Sequence, residues 1–439
     1  MLNYIWLALV VLAVVIGGWH GALNEVTEAA FTAAKSAVMS IALPLVGITA
    51  LWLGIMRLAE RAGVVSVLAR WLRPLLRRLF PDVPKDHPAL GSMLMNMAAN
   101  MIGLSNAATP LGLRAMQDLE KLNPRPGTAT NAMCTFLAIN TGSIQLLPTT
   151  AIGLLAAGGS ANPTAIVATS LIASVCTTTV GIVAAKVLER TPWFRLPAAT
   201  APGAAVAAPE PAAVQAPEPG AGPAATMPAW GWLVLTGFFL GLVWAFVQRF
   251  HAPTTSPAAE GGWLRAMNAL SVIAVPAFLA FFPLYAALVR VRVYEEFVEG
   301  AKEGFNVAVR IIPFLVAMLV AIGMFRAAGG VDLLAAGLRP VLDLVRFPTE
   351  LLPLAMTRPL SGSATIGLFA DLVKTYGPDS LLARTGGTIL GSTETTFYVL
   401  AVYFGAVAVR RTRHAVAVGL LADLTGILVS VALCRLVFR

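Results

Sequence analysis

Apolar runs about twenty residues long recur along this chain, separated by short polar or basic connections. At 1.5 Å per residue such a run crosses the roughly 30 Å hydrocarbon core of a bilayer. The pattern predicts helices near 2–19, 38–57, 131–157, 163–187, 230–250, 267–290, 304–326, 385–408 and 414–437. The first has no basic leader and no small-residue cleavage site before Trp19 and His20, so it reads as a retained helix. Two further apolar stretches, 91–117 and 354–375, are interrupted: Asn96, Asn100, Gly103, Ser105, Asn106 and Pro110 break one, and Pro353, Pro359, Gly362 and Gly367 the other. Non-helical backbone survives at membrane depth only where protein or a wet cavity satisfies its polar groups. Both are therefore expected to be re-entrant hairpins or broken helices.

The pattern also repeats. Pro44-Leu-Val-Gly leads through Gly54-Ile-Met-Arg57 to Leu72-Arg73-Pro74 and Phe80-Pro81. Pro313-Phe-Leu-Val leads at the same Pro-to-Gly and Pro-to-Arg spacing through Gly323-Met-Phe-Arg326 to Leu338-Arg339-Pro340 and Phe347-Pro348. Ala108-Thr109 and Ala364-Thr365 match inside the interrupted stretches. Between the copies, 197–229 is almost all Ala and Pro and reads as an extended linker. The expected organisation is a membrane repeat at 1–196, the linker at 197–229 and a second membrane repeat at 230–439. Asn24–Met39 and Tyr294–Arg310 mix charged and apolar residues at helical spacing and are expected to lie along the interface, one per repeat.

Composition supports the membrane reading and removes others. Only 12% of the 439 residues are charged, against about 25% in soluble proteins, while 57% are hydrophobic and mean hydropathy is +0.77. The net charge of +9 carries no basic stripe interleaved with exposed aromatics, so no nucleic-acid partner is expected. Cys134, Cys176 and Cys434 lie in apolar segments and read as buried thiols. The basic residues instead mark a cytoplasmic face. Placing Arg57–Lys85 inside also puts Lys186/Arg190/Arg195, Arg290/Arg292 and Arg410–Arg413 inside. The scheme gives a multi-pass protein of the bacterial inner membrane with inverted repeats, an inside N-terminus and an outside C-terminus.

Paired broken segments in inverted repeats point to a substrate site near the bilayer midplane. The candidate substrate-binding residues are Asn96, Asn100, Ser105, Asn106, Thr109, Asn140, Thr141 and Ser143 from the first repeat, and Arg358, Ser361, Ser363, Ser392 and Thr393 from the second. Small polar residues also hydrogen-bond between membrane helices with no ligand involved. Glu394 stands in the middle of an otherwise uncharged span, a costly placement that marks function. It would hold a coupling H⁺ or Na⁺, helped by Thr395, or else pair with Arg358. Asp423 is a second embedded acid, with Arg384 or Lys186 as candidate partners; Asp371 and Lys374 read as a solvated pair at a rim. No catalytic set, P-loop or metal-binding motif is seen, so neither an enzyme nor a resident cofactor is expected, and whether a metal binds is left open.

Longer motifs carry a family resemblance. Asn96-Met-Ala-Ala-Asn-Met-Ile-Gly-Leu-Ser-Asn-Ala-Ala-Thr-Pro-Leu-Gly-Leu113, Ala138-Ile-Asn-Thr141 and Leu147-Pro-Thr-Thr150 are similar to the spore maturation protein A family. Arg358-Pro-Leu-Ser-Gly-Ser-Ala364, Lys374-Thr-Tyr-Gly-Pro-Asp-Ser380 and Gly391-Ser-Thr-Glu-Thr-Thr-Phe-Tyr-Val-Leu-Ala-Val-Tyr-Phe-Gly405 resemble spore maturation protein B. The resemblance covers nearly the whole chain outside the linker. It implies the nucleoside recognition, or Gate, domain, and kinship with concentrative nucleoside transporters and the membrane part of ferrous-iron transporters. It also makes a homo-oligomer one of the states to consider.

The resulting expectation is an all-α polytopic membrane protein: two inverted Gate-type repeats, about nine transmembrane helices and two re-entrant or broken hairpins. Its partners would be membrane lipid and a small polar solute, whether nucleoside, amino acid, peptide or cation. Its function would be ion-coupled secondary transport. The alternative is a non-transporting scaffold or accessory subunit in cell-envelope or spore maturation.

Overall fold

A computed structural model describes residues 2–103, 105–194, 227–252, 262–330 and 346–438, with scattered positions between 332 and 342. The linker up to residue 226, Arg195, and Leu338 and Arg339 of the repeat motif lie outside the described residues. So do Leu104 and the side chains of Ser105, Asn106 and Ala107.

The chain is helical where its apolar runs fall, and the described residues contain no β-strand. The first repeat runs α1 (Leu2–Trp19), α2 (Leu23–Ser36), α3 (Leu43–Arg61), α4 (Val64–Leu79), the hairpin α5 (Pro88–Ile102) and α6 (Ser105–Glu120), then α7 (Asn131–Gly142), α8 (Thr149–Ala157) and α9 (Ile166–Leu188). After α10 (Ala229–His251) and α11 (Gly262–Leu288), the second repeat runs α12 (Val293–Ala327), the hairpin α13 (Leu352–Thr357) and α14 (Gly362–Tyr376), then α15 (Leu381–Leu390), α16 (Thr396–Gly405) and α17 (Ala415–Val437). This is an all-α polytopic membrane protein. Among the described residues, five helical runs are long and apolar enough to span by themselves: Leu23–Arg61, Pro163–Leu188, Ala229–His251, Gly262–Leu288 and Ala415–Val437.

Three features differ from the sequence pattern. The amphipathic segments do not form separate interface helices. The first merges through a π-helical turn, Ala37–Ala42, into α3, and the second is the N-terminal part of the 35-residue α12. The wide turn accommodates the missing N–H of Pro44, so the amphipathic segment runs on into the span as one helix. The strongly amphipathic element is instead α4, which buries Val65, Ala69 and Leu76 and exposes Arg70, Arg73, Arg77 and Arg78. Finally, the runs 131–157 and 385–408 are not continuous. Each is a pair of half-helices, interrupted at 143–148 and at 391–395.

Local chemistry explains the breaks. Pro148 disfavours helical backbone at Leu147, and Ser143 sits at φ 26°, in left-handed space that favours glycine. In the second repeat the Ser392 hydroxyl donates to the Ile389 carbonyl at 3.1 Å, competing with the ladder just after Gly391. At the hairpin turns, Gly103 (φ +90°) caps α5, while Pro359 ends α13 and the Ser361 hydroxyl accepts from the Ala364 N–H at 3.2 Å.

The repeats are inverted because equivalent helices pack antiparallel. The α2–α3 run lies along α12 from end to end: Arg57 and Arg61 meet Glu296 at 3.1 Å, a Cβ on Gly304 would lie 2.5 Å from the Ala50 Cα, and one on Gly323 3.3 Å from the Ala33 Cβ. Residue numbers rise on one helix as they fall on the other. The same order holds for α9 against α17, where Thr177 faces Gly426 and Gly181 faces Ala422. It holds again for the broken helices, since Phe136 stacks on Tyr403 while Pro148 abuts Gly391.

Loop contacts then sort the two ends of the bundle. At one end, the N–H groups of Arg410 and Arg411 donate to the Gly127 carbonyl, and Arg413 reaches the carbonyls of Phe194 and Ala129. Arg57, Arg61 and the arginines of α4 share that end. At the other, Asp379 accepts from Ser160 at 2.7 Å and from the Ala161 N–H at 2.9 Å, and Arg326 pairs with Asp371 at 2.7 Å. Burial alone would raise the Asp379 carboxyl, but those donors and Arg384 hold it below its ordinary value. Asp371 and Lys374 are therefore not a pair: Lys374 donates to Ser36 at 2.7 Å.

Candidate solute and ion site

The two helix breaks meet at the centre. The Glu394 N–H donates to the Thr141 carbonyl at 2.8 Å, and the Gln145 side-chain amide donates to Glu394 Oε1 at 3.0 Å. Each hairpin is tied to its own repeat's break by an equivalent bond: the Leu146 N–H to the Met101 carbonyl, and the Phe397 N–H to the Pro359 carbonyl, both 2.9 Å.

Two cavities flank this junction. The first, about 280 Å³, is lined by Asn100, Thr109, Asn140, Tyr398, Val399, Tyr403 and Glu394. It lies among the α5–α6 hairpin, α7 and the start of α16. The second, about 180 Å³, is lined by Gly103, Gln145, the start of α8 from Pro148 to Ala151, Arg358, Gly362, Ile366, Leu390, Gly391 and Glu394. Its main walls, the α13–α14 hairpin, the end of α15 and the start of α8, are the repeat-related counterparts of the first cavity's walls. The cavities are thus twins under the internal symmetry, and Glu394 lines both.

A polar network frames the first cavity. Asn100 donates to Asn140 Oδ1 at 3.0 Å, and Asn140 donates to the Phe136 carbonyl at 3.0 Å. The Tyr403 hydroxyl donates to Asn140 at 3.4 Å and accepts from Asn96 at 3.3 Å. Asn96 also donates to the Ala108 carbonyl at 2.7 Å, stapling one hairpin arm to the other. Gly112 makes room for this contact, since a Cβ there would overlap the Tyr403 hydroxyl. Replacing Tyr403 by Phe removes one donor and one acceptor from a buried network. Asn96 keeps the Ala108 carbonyl and Asn140 keeps Asn100, so the expected cost is about 0.5–1.5 kcal/mol per lost bond, read as a lower melting temperature of the purified protein.

The remaining candidates divide by position. Arg358, 4% exposed, donates through Nε to Thr393 at 3.1 Å and through Nη2 to the Leu390 carbonyl at 3.1 Å. It forms no ion pair with Glu394. Ser392 shares a hydrogen bond with Ser430 at 3.3 Å, Ser361 is a helix cap, and Thr141, Ser143 and Thr395 are buried off the cavity walls. Ser363 is half-buried beside the second hairpin turn. Asp423 accepts from the Thr396 hydroxyl at 2.7 Å, and its Oδ1 has no partner among the described residues. Neither cation considered for it is its partner, because Arg384 pairs with Asp379 at 3.3 Å and Lys186 with Glu189 at 3.5 Å.

Gln145, Tyr398 and Tyr403 complete the cavity linings, although sequence patterning does not select them as site residues. Their signal is present: Gln145 is a polar side chain within one break, and Tyr398 and Tyr403 are polar side chains on the mostly apolar half-helix after the other. No cluster of three or more His, Cys, Asp or Glu that could hold a metal occurs among the described residues.

The family model described as Gate, nucleoside recognition, matches residues 42–189 and 308–410, one stretch in each repeat and together more than half of the chain. The chain belongs to the Gate family. The chain is 46% identical over 172 residues to "Spore maturation protein B" of Bacillus subtilis, covering 39% of this chain and 97% of that protein. It is 42% identical over 195 residues to "Spore maturation protein A" of the same organism, covering 44% of this chain and 97% of the relative. No solved structure matches the chain.

Proposed function

We propose that this Gate protein is a secondary transporter of a small polar solute. It would work by alternating access around Glu394, with H⁺ or Na⁺ as the coupling ion. One observation carries the reading: the Glu394 carboxylate, seated where the two helix breaks meet, lines two symmetry-related cavities. Asn100, Thr109 and Asn140 would contact solute on one side and Arg358 on the other. Asn96, Thr141, Ser143, Ser392 and Thr393 would hold the frame, with Thr395 and Asp423 supporting the ion. Half-helix ends at a repeat interface are a recurring solution to binding polar cargo within a bilayer. The non-transporting scaffold reading expects dry packing at this junction, and the polar-lined cavities weigh against it.

The test is uptake of a panel of labelled nucleosides, amino acids and short peptides into proteoliposomes under an imposed pH or Na⁺ gradient. Gradient-dependent uptake above empty liposomes supports the reading. No uptake of any of them favours the scaffold.

The basic end of the bundle is proposed to face the cytoplasm across a bacterial inner membrane, with 1–196 and 230–439 as the inverted units and 197–229 joining them. Two single-cysteine variants check this. With Ala157→Cys, a membrane-impermeant maleimide is expected to label intact cells; with Arg411→Cys, labelling is expected only after permeabilisation. The opposite pattern would invert the topology.

A further inference from the structure

The smaller cavity contains two full charges that do not meet. Arg358 is buried, and its hydrogen bonds run only to a hydroxyl and to the carbonyl end of α15. The helix end offsets part of the guanidinium charge; among the described residues no carboxylate is in ion-pair contact with it, and Glu394 and Asp423 act on it only through space. Burying an ion without a counter-ion in direct contact costs several kcal/mol that charges acting at a distance only partly offset. Its free nitrogen, Nη1, lies 3.9 Å from where a Cβ on Gly362 would be, at the start of α14. The N-terminal end of α8 enters the same cavity through Thr149 and Thr150. A guanidinium and the start of α14 on one wall, and the start of α8 on another, therefore bring positive potential into the cavity.

Glu394 is the complementary charge. Its hydrogen bond comes from the Gln145 amide rather than from a cation, and it is part-buried. The cavity volume of about 180 Å³ falls below the roughly 300–1,000 Å³ typical of pockets for larger organic ligands. The space suits a small solute with a positive and a negative group a few bonds apart.

We propose that this cavity binds the head of a small zwitterion, an α-amino acid, with its carboxylate at Arg358 and the two helix ends and its ammonium at Glu394. The inference rests on the transporter reading for the choice of site and adds the substrate class. A zwitterion completes two charge-assisted contacts at once. An anion alone leaves Glu394 without a counter-charge, and a cation alone leaves Arg358 so.

The test uses the purified full-length protein and follows thermal unfolding with a panel of the protein-building amino acids, their N-acetyl and methyl-ester derivatives, and uridine. At least one small amino acid is expected to raise the melting temperature. Its N-acetyl form, which lacks the ammonium, and its ester, which lacks the carboxylate, are expected to act at least tenfold more weakly. Glu394→Gln is expected to weaken binding of the parent by a similar factor. The proposal is overturned if no amino acid stabilises, if the blocked derivatives match the parent, or if uridine alone stabilises. Flux separates this result from the broader reading. Amino-acid binding without gradient-driven uptake keeps the site and removes transport; uridine uptake without amino-acid binding does the reverse.

Discussion

Glu394→Gln is expected to reduce gradient-driven uptake by about 10- to 100-fold while leaving the protein folded. The substitution keeps shape and hydrogen-bonding capacity, so Gln145 retains a partner and the Thr141–Glu394 backbone bond is untouched. What disappears is the charge. A hydrogen bond to a charged group contributes about 1.5–3 kcal/mol, and each 1.4 kcal/mol is a factor of about ten. Glu394 lines both cavities, so the loss affects binding from either side and any coupling proton or cation with it. Uptake by the variant, measured beside its melting curve, separates the two effects. Unchanged uptake would take Glu394 out of the mechanism, whereas a collapsed melting curve would make its role structural.

Gly304→Leu is expected to prevent recovery of folded, monodisperse protein. Gly300 and Gly304 are four residues apart on α12, where it crosses α3. A Cβ on Gly304 would lie 2.5 Å from the Ala50 Cα, and one on Gly300 would lie 2.6 Å from the Leu53 carbonyl oxygen. The obstructing atoms are backbone and cannot rotate away. Small residues at this spacing allow close helix approach in membranes, where packing replaces the hydrophobic effect as the driving force. Even Gly304→Ala is expected to cost about 1–3 kcal/mol through overpacking, read as a lower melting temperature in detergent. The leucine side chain would separate the two repeats along their longest shared contact. A normally folded Gly304→Leu protein would show that this crossing is not what joins them.

The sequence made the inverted frame readable because it rests on repeating, local signals. Hydropathy marks the runs, and the shared Pro–Gly–Arg spacing marks the copies. The basic clusters Arg57–Lys85 and Arg410–Arg413 belong to one end of the bundle, as charge counting implies. Continuity along each run was less readable. The boundary expected between each amphipathic segment and the following span does not appear, because a π-helical turn in one repeat and continued helix in the other carry the chain through. Conversely, 131–157 and 385–408 are apolar enough on average to conceal the breaks that form the site. Position along the chain identifies Asn100, Asn140 and Glu394 as polar residues at membrane depth. It does not reveal that Tyr403 bridges Asn96 and Asn140, because that contact joins residues more than 250 apart. Nor does it show that Arg358 points to Thr393 and the end of α15 instead of pairing with Glu394.

The central claim is that the twin cavities open alternately to opposite sides. Thr150, at the start of α8, is an exposed residue on the smaller cavity, and Tyr398, 54% exposed, is its counterpart on the larger. The most direct measurement labels Thr150→Cys and Tyr398→Cys, each in a background lacking the native cysteines, with an impermeant maleimide from either side of oriented membrane vesicles. The account predicts that Thr150→Cys reacts from the face away from the basic end and Tyr398→Cys from the basic face. An imposed H⁺ or Na⁺ gradient should raise one rate as it lowers the other. Reaction of both from the same face, or rates indifferent to every gradient, would contradict it.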